Sequence, residues 1–339
     1  MVKYRYSIRL VLNRVSHKQL VSIQVLRAIA ALSVVIGHII GKVKHEYSEV
    51  PDIYLSFWQI SAFGVDIFFI ISGVVMVLVS QTDSHDIVQI KRFLKHRLFR
   101  IYPVYWVAIT CYLAMKLTQV GGLSGIDLEH ITFSYLLLPT QTSSGGYYPI
   151  LGVGWTLVFE VFFYVCYAFT MLVALKYRIA VFLLLFVPLM LIGFIIKRGH
   201  TIPGYLASII LVSSLVMLSA TMALSAPYVS FENLNQWRVI FWGIPSFLLV
   251  YAAINLEGSF NHRGFSVLHH LGDSSYTLYL FHAAIFLPVF GAILNYLNLY
   301  SLMSIHLVIV FLIFSCVYLG HRVHLTFERP IYLYLKRKY

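Results

Sequence analysis

The stretch SIQVLRAIAALSVVIGHIIG at residues 22–41 constrains this chain more than any other. It is an apolar run long enough to cross a bilayer as an α-helix. It nevertheless carries two ionisable residues, Arg27 and His38. Their spacing is three helical turns plus roughly 20°, so both lie on one face, about 16 Å apart along the axis. Arg27 near a span end has an ordinary reading, snorkelling to the headgroups, and His38 can sit near the opposite interface. Ionisable groups inside a span are costly, however, and suggest function. A shared face three turns long suggests a lined slot.

Composition agrees with a membrane class. The chain is 60% hydrophobic and 11% charged, with a mean hydropathy of +0.82. That excludes a soluble globular domain and points to an all-α, polytopic transmembrane bundle. The net charge of +12 does not imply a nucleic-acid partner. The basic residues gather at the N-terminus, in one loop and at the C-terminus, as short cytoplasmic segments do. Cys111, Cys166 and Cys316 fall in or beside apolar runs, which argues against a disulfide framework or a thiolate metal site. No cleavable signal peptide is evident, so the first span is expected to remain as an anchor.

Topology follows from charge. Residues 1–21 carry Lys3, Arg5, Arg9, Arg14 and Lys18 without an acid, so this end is expected inside. Span 22–41 runs outward, span 60–80 returns, and 81–97 is a basic cytoplasmic loop. Span 98–117 runs outward, with Pro103 in its first turns. Residues 118–152 hold only the short patch 131–140, a re-entrant or broken helix. Further apolar runs lie at 153–175, 179–196, 205–225, 238–256, 274–293 and 303–320. About ten spans are therefore expected, nine clear and one short or re-entrant. Counting the patch as a span puts eight later basic residues inside and three outside, which favours ten spans with both termini cytoplasmic. The expected divisions are a basic N-terminus at 1–21, a membrane domain at 22–321 and a basic cytoplasmic tail at 322–339. No internal repeat of the inverted kind is visible.

The polar residues inside apolar runs are few. Of thirteen acids, Asp66 and Glu160 fall inside spans. Asp66 is expected at a depth similar to His38, where a carboxylate can orient an imidazole; a buried ion pair or a helix cap are the plain alternatives. Thr156, Glu160 and Tyr164 fall at i, i+4 and i+8, one polar stripe beside Trp155. Glu160 is a general base or ligand on one reading and a packing hydrogen bond on the other. Its depth differs between the nine- and ten-span topologies. Ser275, Tyr279 and His282 share another face. Arg97 and Arg100 face one way at the cytoplasmic mouth of a span, where two guanidinium groups suit a phosphorylated ligand. The histidines form no metal-ligand pattern on a span.

Six stretches in order resemble the acyltransferase 3 family of integral membrane acyltransferases, and within it the bacterial exopolysaccharide-modifying members. They are SIQVLRAIAALSVVIGH, FGVDIFFIISGVVM, KHRLFRIYPVYW, GVGWTLVFEVFFY, SSYTLYLFH and FERP, covering roughly residues 20–330. The resemblance implies a multi-pass protein of the bacterial inner membrane. Its expected reaction moves an acyl group, usually acetyl, from cytoplasmic acyl-coenzyme A to a hydroxyl of a polysaccharide or lipid-linked glycan, without a metal. It maps the key histidine to His38, its partner arginine to Arg27, the Arg-x-x-Arg to Arg97 and Arg100, and the glutamate to Glu160. His38, Glu160 and Asp66 are then the catalytic candidates, and Arg27, Arg97 and Arg100 the candidates for the acetyl-coenzyme A site. Trp155, Tyr164, Tyr279 and His282 are the substrate-binding candidates. The competing readings are a glycan or small-anion transporter using His38, Asp66 and Glu160 as a proton relay, and a membrane protein whose polar residues only pack helices.

Overall fold

The structure is a computed structural model that describes residues 20–79, 87–118, 127–142, 146–172, 202–228 and 238–338. Among the described residues the α-helices of seven residues or more are, in chain order, α1 (Val21–Val43), α2 (Asp52–Ile60), α3 (Phe63–Val79), α4 (Ile87–Leu117), α5 (Leu128–Leu136), α6 (Trp155–Thr170), α7 (Gly204–Tyr228), α8 (Ile244–Asn255), α9 (Ser266–Asp273), α10 (Ser275–Phe281), α11 (Leu287–Tyr296), α12 (Ile305–Val323) and α13 (Arg329–Lys338). Five-residue π-helical turns precede α8 and join α10 to α11 and α12 to α13. No β-strand occurs among the described residues, only an isolated bridge between Gln141 and Tyr147.

Six helical stretches have the length and composition to cross a membrane: Val21–Val43, Asp52–Leu78, Ile87–Leu117, Gly152–Thr170, Ser275–Tyr296 and Ile305–Arg337. Two shorter apolar helices, Gly204–Ala220 and Val239–Asn255, accompany them. The expected span 179–196 and the basic residues 1–19 lie outside the described residues.

The chain divides into two compact units, Met1–Asp83 with Ala174–Ser275 and Ser84–Val173 with Tyr276–Tyr339. In the first, α1, α3 and α8 share a core of Leu26, Ala30, Ile67, Ile70, Val74, Leu249, Val250 and Ala253. Lipid tails are as apolar as these side chains, so in a bilayer such a core holds its helices together by close van der Waals packing rather than by exclusion of water. Two glycines set the closeness of packing. A Cβ at Gly64 would overlap the Ala30 carbonyl oxygen and the Ser33 hydroxyl, and one at Gly272 would overlap the Gln24 carbonyl. Helix α1 starts under a carboxylate cap, with Val21 N–H donating to Glu257 Oε1 at 2.7 Å and Ser22 N–H to Oε2 at 3.0 Å. Negative charge is favourable there because the first amides of a helix are unpaired and its dipole is positive at that end.

In the second unit, α4 begins at Ile87, eleven residues before the expected start of its span. The charged segment IKRFLKHR is helical because Lys, Arg and Leu are strong helix formers, and Phe93, Arg97, Ile101, Val104 and Ala108 form one continuous buried stripe. Pro103 therefore lies in the helix interior, where it removes one backbone hydrogen bond.

The short patch does not cross. Helix α5 has nine residues, about 13 Å at helical rise against a hydrocarbon core of about 30 Å. Asp127 caps its start by accepting from His130 N–H at 2.6 Å. Leu137, at φ 52°, ends it in the left-handed region. The chain then doubles back: His130 Nε2 lies 3.2 Å from the Tyr148 carbonyl, and Ile150 N–H donates to Ser134 Oγ at 2.9 Å. Tyr102, Tyr105 and Trp106 of α4 donate to carbonyls of α5. Helix α6 runs antiparallel to α4, with Gly154 beside Tyr105 and Tyr167 beside Phe93 at 5.3 Å. The tenth span that the charge count favoured is not this segment.

Residues 322–338, expected as part of a tail, continue the last helix through its π-turn into α13.

Candidate functional site

Helix α1 displays His38 in an unusual setting. Most of the helix is buried, yet the imidazole is exposed and Arg27 is half-buried. Ile29, Leu32 and Ile36 form a separate exposed to half-buried apolar stripe, about 140–200° round the helix from Arg27. That stripe suits lipid; the His38 face is a different one. Between the two polar residues, Ala31 and Val34 are buried at 0% and 5% exposure, so the face is packed in its middle rather than open along its length. Arg27 Nη1 donates to Gln24 Oε1 at 3.4 Å.

Asp66 belongs elsewhere. Both carboxylate oxygens accept from Arg238, Oδ1 from Nε at 3.2 Å and Oδ2 from Nη2 at 2.9 Å, and the same guanidinium lies 5.3 Å from the Trp242 ring. The expected equal depth with His38 also fails. Gly37 of α1 meets Ser61, whereas Gly64 meets Ala30 and Ser33. The helices are antiparallel, so Asp66 lies at least two turns from His38 along α1. The physical reason is that the helical hairpin resumes at Asp52, earlier than the apolar run suggests. The buried ion pair is the arrangement found for Asp66.

The second unit gathers a larger polar cluster. The stripe on α6 is real: Tyr164 O–H donates to Glu160 one turn back. At its other end Thr156 Oγ1 lies 2.9 Å from the Tyr279 hydroxyl, which donates to the Val153 carbonyl at 2.9 Å. Arg97, 8% exposed, has its guanidinium carbon 5.6 Å from the Phe93 ring and 5.7 Å from the Tyr164 ring. Such cation–π contacts hold a charge without neutralising it. Arg100 lies within electrostatic range of Glu160, Glu328, Tyr164 and Tyr332. Glu160 is therefore at the level of the Arg-x-x-Arg.

Several members of this cluster escape sequence reasoning. Glu328 Oε2 accepts from Thr277 Oγ1 and lies 2.7 Å from His324 Nδ1. Tyr276 O–H donates to the Ile101 carbonyl at 2.8 Å, two residues before Pro103. Arg238 is the counterpart missed in the first unit. The only signal was FERP, whose glutamate sits among charges that resemble a tail. His324 and Glu328 occupy a π-turn, and so does His282; such turns concentrate at functional sites.

Of the substrate-binding candidates, His282 is fully buried, with Nδ1 3.0 Å from the Leu278 carbonyl. Tyr279 is 6% exposed and committed to Thr156 and Val153. Tyr164 is buried, and Trp155 is half-buried with its ring edge-on to Phe159 at 5.9 Å. Among the described residues, His269, His270 and Asp273 of α9 bring donor atoms within 4.8 Å of one another.

A family model described as an acyltransferase domain, that of the acyltransferase 3 family, matches residues 20–209. The exopolysaccharide production protein ExoZ of Rhizobium meliloti (strain 1021) is 30% identical over 254 residues, covering 66% of this chain and 76% of the relative. No solved structure matches.

Proposed function

The chain belongs to the acyltransferase 3 family and is a membrane O-acyltransferase, and we propose that it moves an acetyl group from acyl-coenzyme A to a sugar hydroxyl of an exopolysaccharide or its lipid-linked precursor. The likeness to an exopolysaccharide production protein supports the acceptor class. The bacterial inner membrane is the matching location.

The observation that carries the chemistry is the exposed imidazole of His38 on a face of α1 distinct from its apolar stripe. Acyl transfer to a hydroxyl needs a base that substrate can touch. His38 takes the hydroxyl proton as the oxygen attacks the thioester carbonyl. The tetrahedral oxyanion collapses, the carbon–sulfur bond breaks, and the imidazolium returns its proton to the departing thiolate. Arg97 and Arg100 are the candidates for the donor's phosphates, because guanidinium groups bind phosphate oxygens in pairs.

The test is to incubate the purified protein in nanodiscs with acetyl-coenzyme A labelled on the acetyl group. Thiol release above the level of His38→Ala supports the reading. Equal release from both proteins removes His38 from the chemistry. Donor binding that is absent altogether overturns the acyl-coenzyme A assignment.

A further inference from the structure

We propose that His269, His270 and Asp273 of α9 form a binding site for one divalent transition-metal ion, with Zn2+ as the type ion. The ion is structural: it fixes the helical turn that rests on the start of α1. The site does not depend on the acyl-transfer reading, and it supplies no metal to the chemistry at His38.

The spacing sets the geometry. On an α-helix, Asp273 lies about 40° round from His269 and about 60° from His270, so its carboxylate projects between the two imidazoles, one turn on. The side chains follow that placement. One donor atom from each residue comes within 4.8 Å of the other two. The imidazole rings stand edge-on at 85°, with centroids 5.7 Å apart, rather than stacked face to face. A tetrahedral ion bound at about 2.0–2.1 Å holds its ligands about 3.4 Å apart, so small side-chain rotations complete the set. His270 is exposed, and His269 and Asp273 are half-buried. An ion therefore has a path from solvent, and a fourth position is left for water. Two imidazoles with one carboxylate favour Zn2+, Ni2+ and Cu2+ over Mg2+ and Ca2+, which prefer oxygen ligands throughout.

The backbone beneath these ligands is held in place. Gly272 sits between His270 and Asp273, so close to α1 that a Cβ there would overlap the Gln24 carbonyl. Ser274 closes the end of α9: its N–H and its Oγ both donate to the His270 carbonyl at 3.4 Å, and Oγ also reaches the Leu271 carbonyl at 3.1 Å. Ligands carried on a packed helix are pre-oriented for an ion. The benefit runs the other way as well. Helix α9 has only eight residues, a length that is marginal without support, and an ion joining positions one turn apart holds that turn closed. His38 lies fourteen residues beyond Gln24 on α1, about 21 Å along the axis. The ion thus acts on the packing of α9 against α1, at the end of α1 remote from His38.

The experiment uses the full-length protein without a polyhistidine tag, in nanodiscs of neutral lipid, stripped of metal by a chelator. Zn2+ and Mg2+ are titrated by calorimetry, and melting is followed with and without Zn2+. The variants are His269→Ala and His270→Ala. The control for scattered surface histidines is His262→Ala, an exposed residue whose ring accepts from Gly264 N–H. The wild type and His262→Ala should each bind one Zn2+ per chain, melt higher with it and ignore Mg2+, because an ion that binds only the folded chain stabilises it. Each ligand variant should melt as the wild type does in chelator, yet bind Zn2+ at least about 10- to 100-fold more weakly, the loss that even a supporting contact behind a metal ligand causes. Should His269→Ala disturb the fold, His270→Ala, at the exposed position, decides. A wild type that binds no Zn2+, or a folded His270→Ala that binds it as tightly as the wild type, overturns the site.

Discussion

Arg238 holds Asp66 with two hydrogen bonds across 172 positions of sequence. The pair joins the first turn of α3 to the turn before α8, and its side chains are only 26% and 15% exposed. Removing one partner leaves a charge in a poorly solvated place, which in buried pairs costs about 3–5 kcal/mol. Asp66→Ala or Arg238→Ala alone should therefore destabilise the protein by about 2–4 kcal/mol, read by melting in detergent. The double substitution Asp66→Asn with Arg238→Gln should recover much of that loss and retain thiol release. A folded double variant without activity would instead give Asp66 a part in the chemistry.

His38 makes the opposite prediction. The residue keeps an open surface, so His38→Ala removes little core packing, and stability should change by about 1 kcal/mol or less, the scale of one hydrogen bond. Losing a general base typically costs about 100- to 10,000-fold in rate. Unchanged melting with turnover reduced on that scale is the expected pair of results. A large loss of stability would mark His38 as a packing residue.

The contrast between these residues shows what the sequence made legible. Periodicity within one helix was readable: the i, i+4 spacing of Glu160 and Tyr164 becomes a hydrogen bond, and the long apolar runs become helices. Pairings between distant segments were not. Nothing local in the sequence connects Asp66 with Arg238, or Thr277 with Glu328. Helix ends were misjudged wherever charged or aromatic residues extend a helix beyond its apolar part. Thus Asp52–Ile60 precedes the expected second span, Ile87 precedes the third, and α13 continues past the last. Depth estimates built on those ends placed Asp66 beside His38 and Pro103 near a helix start. Glu328 was overlooked because HRVHLTFERP reads as solvated charge, although the helix carries it back to Thr277.

Close packing at Gly272 gives a sharper test of the first unit. Helix α9 approaches α1 so nearly that any Cβ would run into the Gln24 carbonyl oxygen. Backbone cannot rotate aside as a side chain can, so Gly272→Ala should cost about 1–3 kcal/mol or more through overpacking. Gly258→Ala, in the one-turn helix Glu257–Phe260, is the control. Nothing lies within 4 Å of a Cβ there, and alanine favours helix over glycine by up to about 1 kcal/mol. Melting should fall for the first and hold or rise for the second. Equal behaviour of the two would show that α9 can move away from α1.

Glu328 joins three segments of the second unit, and its charge should matter more than its shape. One carboxylate oxygen takes the Thr277 hydroxyl and the His324 ring nitrogen, while Arg100 feels the carboxylate's field. The side chain is 13% exposed, so solvent compensates weakly for its loss. Glu328→Gln keeps an acceptor oxygen but removes the negative charge, and hydrogen bonds to charged groups contribute about 1.5–3 kcal/mol. The substitution should lower stability by about that amount. Thr277→Val and His324→Phe, which each remove one contact and leave the charge in place, should cost about 1 kcal/mol apiece. The distinguishing measurement is a cycle with Arg100→Ala. If the carboxylate balances that guanidinium, Glu328→Gln should cost less once Arg100 is gone, by about 1 kcal/mol or more. Strict additivity would mean that Glu328 acts only through Thr277 and His324, and that Glu160 alone balances Arg100.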